Sequence, residues 1–324
     1  MQLEPLLLPI SSDLAKVENI LAQSCATSVG TITQVVQYII QNGGKRLRPA
    51  LTILAARISG NTSDAAMRVG AAMEMVHTAS LLHDDVVDNA PTRRGRPSAN
   101  SKWGNQISVL VGDFFWCKAC EIIVDLEQPR ILATITKAIV GTTEGEVIEL
   151  VKSNDFDITE DEYLHIIQYK TALLIAASCQ VGAQLAGVSE LLEVALKRYG
   201  MELGMAFQLA DDALDYVSDF DRFGKSRGTD LREGRLTLPV ILALQRCDET
   251  EQRIVKDALL SPTHSDAQLA EVTAILEQYD CLADTRRRAE HHVARAKSHL
   301  DPFKPSLEND ALRGLADYSI LRGE

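Results

Sequence analysis

The chain has 324 residues, 46% hydrophobic and 24% charged, a globular composition that excludes a largely disordered protein. Aromatics are only 5% while Ala and Leu abound, which favours helices over strands. The formal net charge of −12 argues against nucleic acid as a partner, and an anionic ligand would need locally gathered cations or metal ions.

In chain order, the N-terminal MQLEPLLLPISSD has a short apolar run with Glu4 and no basic segment in front, a poor signal peptide. Apolar residues then recur at three- and four-residue spacing through 31–41, 46–59, 64–88, 105–125, 129–152, 160–187 and 190–218. The same pattern continues more weakly through 237–246, 250–260, 266–279, 281–299 and 306–321, so helices are predicted throughout. Gly43 and Gly44 interrupt the chain just before Pro49, which suits a first helical turn. Ser63 and Asp64 read as a helix start, and Thr159 with Glu162 as a capping box. No run alternates at period two for long enough to form a strand. The uncharged stretch from Thr171 to Ser189 contains Ser178, Gln180, Gly182 and Gln184, and reads as a core helix rather than a transmembrane segment.

Six cysteines are scattered, and only Cys117 and Cys120 are close, in CKAC within an apolar helical stretch. The pair is expected to be buried free thiols, with no zinc-site partner pair and no sign of an oxidising compartment. Breakers are short, so residues 1–324 are expected to be a single domain: an all-α, many-helix bundle around a deep central cavity. A cytoplasmic protein is expected from these features.

Two segments concentrate charge. Asp84, Asp85 and Asp88 end one apolar helix, and Asp211, Asp212 and Asp215 end another, both as DDxxD. Spacings of three and four place each trio's carboxylates on one helix face, where like charges repel. Partly buried at about 4 Å and an effective dielectric of 20, each pair costs roughly 4 kcal/mol. The helix C-terminus adds an unfavourable dipole. Raised pKa values, nearby cations or bound divalent metal must offset this, and all-oxygen ligands suit Mg2+ shared with substrate phosphates. One DDxxD is an ordinary solvated helix end; two, each on an apolar helix, can hold a diphosphate between them through bridging metals.

Cations lie beside the acids. Gly43-Gly44-Lys45-Arg46-Leu47-Arg48-Pro49 offers flexible backbone and a cationic helix start to an anion, without the spacing of a Walker loop. Arg93 and Arg94 come after the first acidic motif, and arginine forks match phosphate oxygens. His77 lies two turns before Asp84 on the same face. Lys170-Thr171 opens the uncharged stretch, and Lys225 comes after the second motif.

The sequence resembles the trans-isoprenyl diphosphate synthases, and most of all the bacterial polyprenyl (octaprenyl or solanesyl type) synthases. The resemblance rests on GGKRLRP, HTASLLHDDVVD followed by TRRG, GDF at 112–114, EGEVIEL at 144–150, YKTA at 169–172, and FQLADDALDY followed by FGK and EGRLTLP. It runs in order from Gly43 to Pro239. It implies that Asp84, Asp85, Asp88, Asp211, Asp212 and Asp215 bind about three Mg2+ ions that grip an allylic diphosphate. Arg93, Lys170 and Lys225 would contact that diphosphate; Lys45, Arg48, His77 and Arg94 would hold isopentenyl diphosphate. Thr171 and Gln208 would sit near the reacting carbons, and a homodimer is implied. Two departures stand out: Arg235 in EGRLTLP replaces the family's usual lysine, keeping its charge for substrate binding, and Thr229-Asp230 replaces a frequent pair of aspartates.

The implied reaction ionises the allylic diphosphate and attacks the cation with the double bond of isopentenyl diphosphate, with water excluded. Ala79 and Ser80, one turn before Asp84, are small where short-chain synthases place an aromatic. That predicts a long product, with Phe115 and Trp116 on a neighbouring helix narrowing or flooring the tunnel. A shorter-chain synthase is the main alternative. A histidine–aspartate phosphohydrolase leaves the second DDxxD unexplained, a non-catalytic subunit would lose an acidic motif, and a terpene cyclase would not need GGKRLRP.

Overall fold

The computed structural model describes residues 1–217, 228–261 and 265–321. After a short helix at Glu4–Leu7 and one 3-10 turn come α1 (Ser11–Ser24), α2 (Gly30–Gln41), α3 (Leu47–Ile58) and α4 (Ala65–Val87). A minimal hairpin of β1 (Thr92–Arg93) and β2 (Arg96–Pro97) precedes a short helix at Ala99–Trp103, α5 (Asn105–Val124) and α6 (Pro129–Lys152). Next come α7 (Glu160–Ile167), a π-helical turn at Gln168–Ala172, α8 (Leu173–Ala186) and α9 (Glu190–Asp215). A single turn at Thr229–Arg232 leads to α10 (Leu238–Arg246), α11 (Glu249–Leu259), α12 (Asp266–Gln278), α13 (Cys281–Ser298) and α14 (Leu307–Leu321).

Helix α4 is central because it is apolar nearly all round: from Ala66 to Met75 every residue but Arg68 is buried. It packs along α5 and against α3 and α1. Helix α8 packs on α3, α6 and α9, and α9 lies along α13. Two apolar cores result. One joins α1–α6 to α8 and the first half of α9; the other gathers α7, the last turns of α9, and α10–α13. Helix α9 runs through both, and its acidic C-terminal end lies on the side of the second core, between Ala210 and Tyr216. The N-terminal apolar run belongs to the first core, with Leu6 against Gly314 of α14.

The capping box at Thr159 and Glu162 is present, with two more at Asp248–Glu251 and Ser265–Gln268. The helix start at Ser63 and Asp64 is also present: Asp64 is the N-cap residue of α4, although its side chain pairs with Lys16 of α1 rather than capping, and Ser63 turns to Asn61. Three expectations are corrected. The helix predicted over 160–187 is interrupted by the π-helical turn at Gln168–Ala172, which neighbouring backbone approaches closely at Gly145 and Gly204 of other helices. The segment without strand signals contains the two-residue hairpin, whose corner Arg94-Gly95 has positive φ at both positions, as a tight type I′ turn requires. Cys117 is exposed and Cys120 half-buried; the thiols are free, but Cys117 lies on the outward side of α5. Among the described residues, no helix is long and apolar enough to cross a membrane.

Candidate active site

The end of α4 presents the first acidic motif. Asp85 is buried and accepts a hydrogen bond from Arg93 Nε at 2.6 Å, an ion pair that anchors the hairpin to the helix. Asp84 and Asp88 are left on the more open side. Burial, and after it Glu146 on α6, raise the pKa of Asp84 to about 7 against the pull of Lys170. Lys170 donates to Glu146 at 2.9 Å and also to Glu149. Although burial opposes its charge, these two carboxylates hold its pKa above the usual lysine value.

The hairpin's other arginine reaches back to the start of α3. Arg94 donates to the carbonyl of Gly43, which sits at φ +64° and so turns the chain toward it. A Cβ on Gly44 would lie 3.1 Å from both Arg94 Nη1 and Arg46 Nη1, so glycine there lets two guanidiniums close on the backbone. Arg46 is held by Glu18 of α1 at 2.5 Å and by buried Glu74 of α4 at 2.9 Å. Arg48 is enclosed beside them. Burial lowers its pKa to about 10, and its Nε has no hydrogen-bond partner. An enclosed, under-satisfied guanidinium is the signature of an anion site. His77 faces this cluster; burial, then Arg48, Arg94, Arg93 and Arg46, keep it well below its ordinary pKa and therefore neutral. The structure thus brings Arg48, His77, Arg93 and Arg94 together. Lys45 is elsewhere: its ammonium lies 5.2 Å from the Tyr318 ring centroid on α14.

The second motif ends α9. Asp212 is fully buried, and both its oxygens are used: Tyr163 of α7 donates to one, and Gln208 Nε2 to the other at 3.0 Å. Burial nevertheless pushes its pKa up to about 7. Gln208 Oε1 accepts from the hydroxyl of Thr171 at 2.9 Å, so the two sequence-predicted residues meet. Asp215 accepts from the backbone N–H groups of Thr229 and Asp230, at 3.2 and 2.9 Å. The π-turn carrying Lys170 and Thr171 is pressed from two sides. A Cβ on Gly145 would fall 2.8 Å from the Lys170 nitrogen, and one on Gly204 would fall 2.5 Å from the Ala172 Cα.

Arg235 ties the two motifs. Its guanidinium pairs with Asp88 at 2.8 Å and Glu233 at 2.9 Å, while its backbone N–H donates to Asp230, the residue that holds Asp215. Among the described residues, carboxylates outnumber the cations there. Glu146, Glu149 and Asp230 add to Asp84, Asp88, Asp211 and Asp215, with Lys170 and Arg235 facing them. An all-oxygen, over-anionic donor set fits hard divalent cations. Among the described residues, no three His, Cys, Asp or Glu side chains are already grouped as a metal cage. Lys225 lies outside the described residues.

Ala79 is buried on α4, and the hydroxyl of Ser80 donates to the carbonyl of His77 at 2.9 Å. Phe115 is buried in the first core and Trp116 packs partly buried against it. Sequence reasoning missed Glu74 and Tyr163, and quoted Glu146 and Glu149 without giving them a role. A glutamate amid the apolar residues of α4 was a signal for the first. The three-residue spacing of Glu146 and Glu149 on α6 was a signal for the last two.

A family model described as polyprenyl synthetase matches residues 29–276. The octaprenyl diphosphate synthase of Escherichia coli (strain K12) is 38% identical over 312 residues, covering 96% of each chain. The all-trans-nonaprenyl-diphosphate synthase (geranyl-diphosphate specific) of Rhodobacter capsulatus is 37% identical over 320 residues, covering 98% of each. The crystal structure of a polyprenyl synthase from Caulobacter crescentus CB15, complexed with calcium and isoprenyl diphosphate, superposes with a TM-score of 0.95. It is 37% identical and covers all of this chain and 98% of its own.

Proposed function

The chain belongs to the polyprenyl synthetase family, and on that footing we propose that it joins isopentenyl diphosphate head to tail with an allylic diphosphate. The product is a trans polyprenyl diphosphate longer than a geranylgeranyl chain, and pyrophosphate and one proton leave for each unit added. The observation that carries this reading is the meeting of two acidic helix ends with a separate arginine cluster: one diphosphate needs metal-bridged carboxylates, the other guanidiniums.

Arg48, Arg94 and neutral His77 hold isopentenyl diphosphate, with Lys45 swinging in from Tyr318. Arg93, Lys170, Lys225 and Arg235 serve the allylic diphosphate. Asp84, Asp88 and Asp211 are the first choice for Mg2+, with Asp215 beside them. Asp85 and Asp212, already engaged by Arg93 and by Tyr163 with Gln208, orient their neighbours. About three Mg2+ ions, bound with the diphosphate, would supply Lewis-acid neutralisation of the leaving group. Thr171 and Gln208 face the reacting carbons. The buried apolar helices around them exclude water, which would quench the allylic cation. Small Ala79 leaves the chain room to lengthen. Residues 1–324 act as one domain, in the cytoplasm, as a homodimer.

The test is incubation with labelled isopentenyl diphosphate and farnesyl diphosphate, with and without Mg2+, and chromatographic sizing of the product. The long-chain reading requires a Mg2+-dependent ladder that extends past geranylgeranyl diphosphate; one that stops there defeats it.

A further inference from the structure

Tyr163 stands apart from every sequence motif of the site, yet its hydroxyl reaches into the second one. The ring is buried on α7, and the hydroxyl donates to Asp212 at the end of α9. We propose that Tyr163 is a positioning residue: it fixes the direction of the buried chain Tyr163–Asp212–Gln208–Thr171, and so presents Thr171 to the reacting carbons as a lone-pair acceptor. This inference rests on the synthase reading above.

The direction is set by what each group can do. The hydrogen bonds from Tyr163 and Gln208 oppose the upward push of burial on Asp212, and as a carboxylate it only accepts, whereas a neutral phenol donates. Tyr163 occupies one oxygen of Asp212, and the other accepts from Gln208 Nε2 at 3.0 Å. With its NH2 committed there, the amide must turn its carbonyl the opposite way, where the Thr171 hydroxyl donates at 2.9 Å. Thr171 has a single proton, and that proton is used. Only oxygen lone pairs are left for the site, the polarity that stabilises a developing allylic cation; a hydroxyl proton aimed at the cation would oppose it.

Removing the phenolic hydroxyl leaves one oxygen of a fully buried carboxylate without its donor, and a buried polar atom left unpaired is unfavourable. Asp212 then relaxes toward Gln208, and the amide loses the register that keeps its carbonyl on Thr171. Tyr163 lies seven residues before Lys170, on the far side of the π-turn, so the effect on Thr171 travels through the chain of bonds rather than by contact.

The experiment is Tyr163→Phe, assayed with Thr171→Val and with the double variant. We expect Tyr163→Phe to fold, as judged by circular dichroism. Its KM for isopentenyl diphosphate should stay within about twofold, while kcat falls about tenfold or more. The double variant should be no slower than the slower single variant, because both break one chain. A merely structural tyrosine predicts the reverse: unchanged kcat, or losses that multiply. Either result overturns the inference. If Tyr163→Phe does not fold, Gln208→Glu takes its place. A carboxylate at 208 cannot donate to Asp212, so the polarity fails with Tyr163 intact; retained kcat there overturns the proposal equally. A wild-type protein that makes no prenyl product defeats the synthase reading itself, whereas an active enzyme indifferent to Tyr163 defeats only this step.

Discussion

Gly204→Ala probes the widened turn directly. A Cβ at Gly204 would lie 2.5 Å from the Cα of Ala172 and 2.7 Å from its Cβ, where ordinary contact begins near 3.4 Å. The turn must therefore retreat by roughly 0.9 Å, since backbone cannot swing aside as a flexible side chain can. Thr171 precedes Ala172, and its 2.9 Å bond to Gln208 would stretch past hydrogen-bonding range. A displacement of about 1 Å in a positioned catalytic group costs on the order of 100-fold in rate. Overpacking of this kind also costs about 1–3 kcal/mol of stability. Gly200→Ala is the matched control. Its Cβ would fall 2.7 Å from the Cα of Ala176 and 2.8 Å from the carbonyl of Ile175, an equal insult one helical turn further from Thr171. Thermal unfolding should show both variants destabilised by several degrees. Steady-state incorporation of labelled isopentenyl diphosphate should show kcat collapsing in Gly204→Ala alone. If Gly204→Ala loses no more activity than Gly200→Ala, the turn does not position Thr171.

Asp84→Asn should stabilise the metal-free protein while abolishing turnover. The folded-state pKa of Asp84 is raised from 3.8 to about 7, so stability falls as pH rises through that interval. The variant's melting advantage should be clear at pH 8 and vanish near pH 4; equal melting curves at pH 8 would refute the burial argument. Arg48→Ala should raise KM for isopentenyl diphosphate by tenfold or more, on the order of 1.4 kcal/mol, with a smaller change for the allylic substrate. A reversed ranking in initial-rate measurements would exchange the two diphosphate sites. Ala79→Tyr should shorten the product seen by chromatography, and an unchanged ladder would remove Ala79 from the path of the chain.

The parts of the site that were readable from sequence are those whose geometry is local. Asp84 and Asp88, like Asp211 and Asp215, are four residues apart on a helix, so spacing alone places them on one face. Asp88 and its partner Arg235 lie 147 residues apart, and their pairing depends on how α10 leaves α9, which no local pattern encodes. The π-turn was hidden for a similar reason. Gln168–Ala172 continues the helical period of its neighbours, and the residues packed closely on it, Gly145 and Gly204, lie on other helices. Glu74 was overlooked because a glutamate within an apolar helix is usually a solvated exception, whereas here it is buried as the counter-charge of Arg46. The hairpin at Arg93–Arg96 needs only two residues per strand, too few for alternation to register.

The turn at Gln168–Ala172 also divides allegiances. Ile166 and Ile167 before it, and Ala172 at its end, belong to the second core, whereas Leu174 and Ile175 just after it belong to the first. A π-turn inserts one extra residue, which re-phases the next helix by about 100° relative to an uninterrupted α-helix. It therefore works as a shim, letting α7 and α8 each meet a different neighbour without compromise. Lys170 and Thr171 sit on that shim, so any sliding of one core against the other is registered first at two residues proposed to handle the substrate. Deleting a single residue there would misalign an entire half of the protein as well as the chemistry.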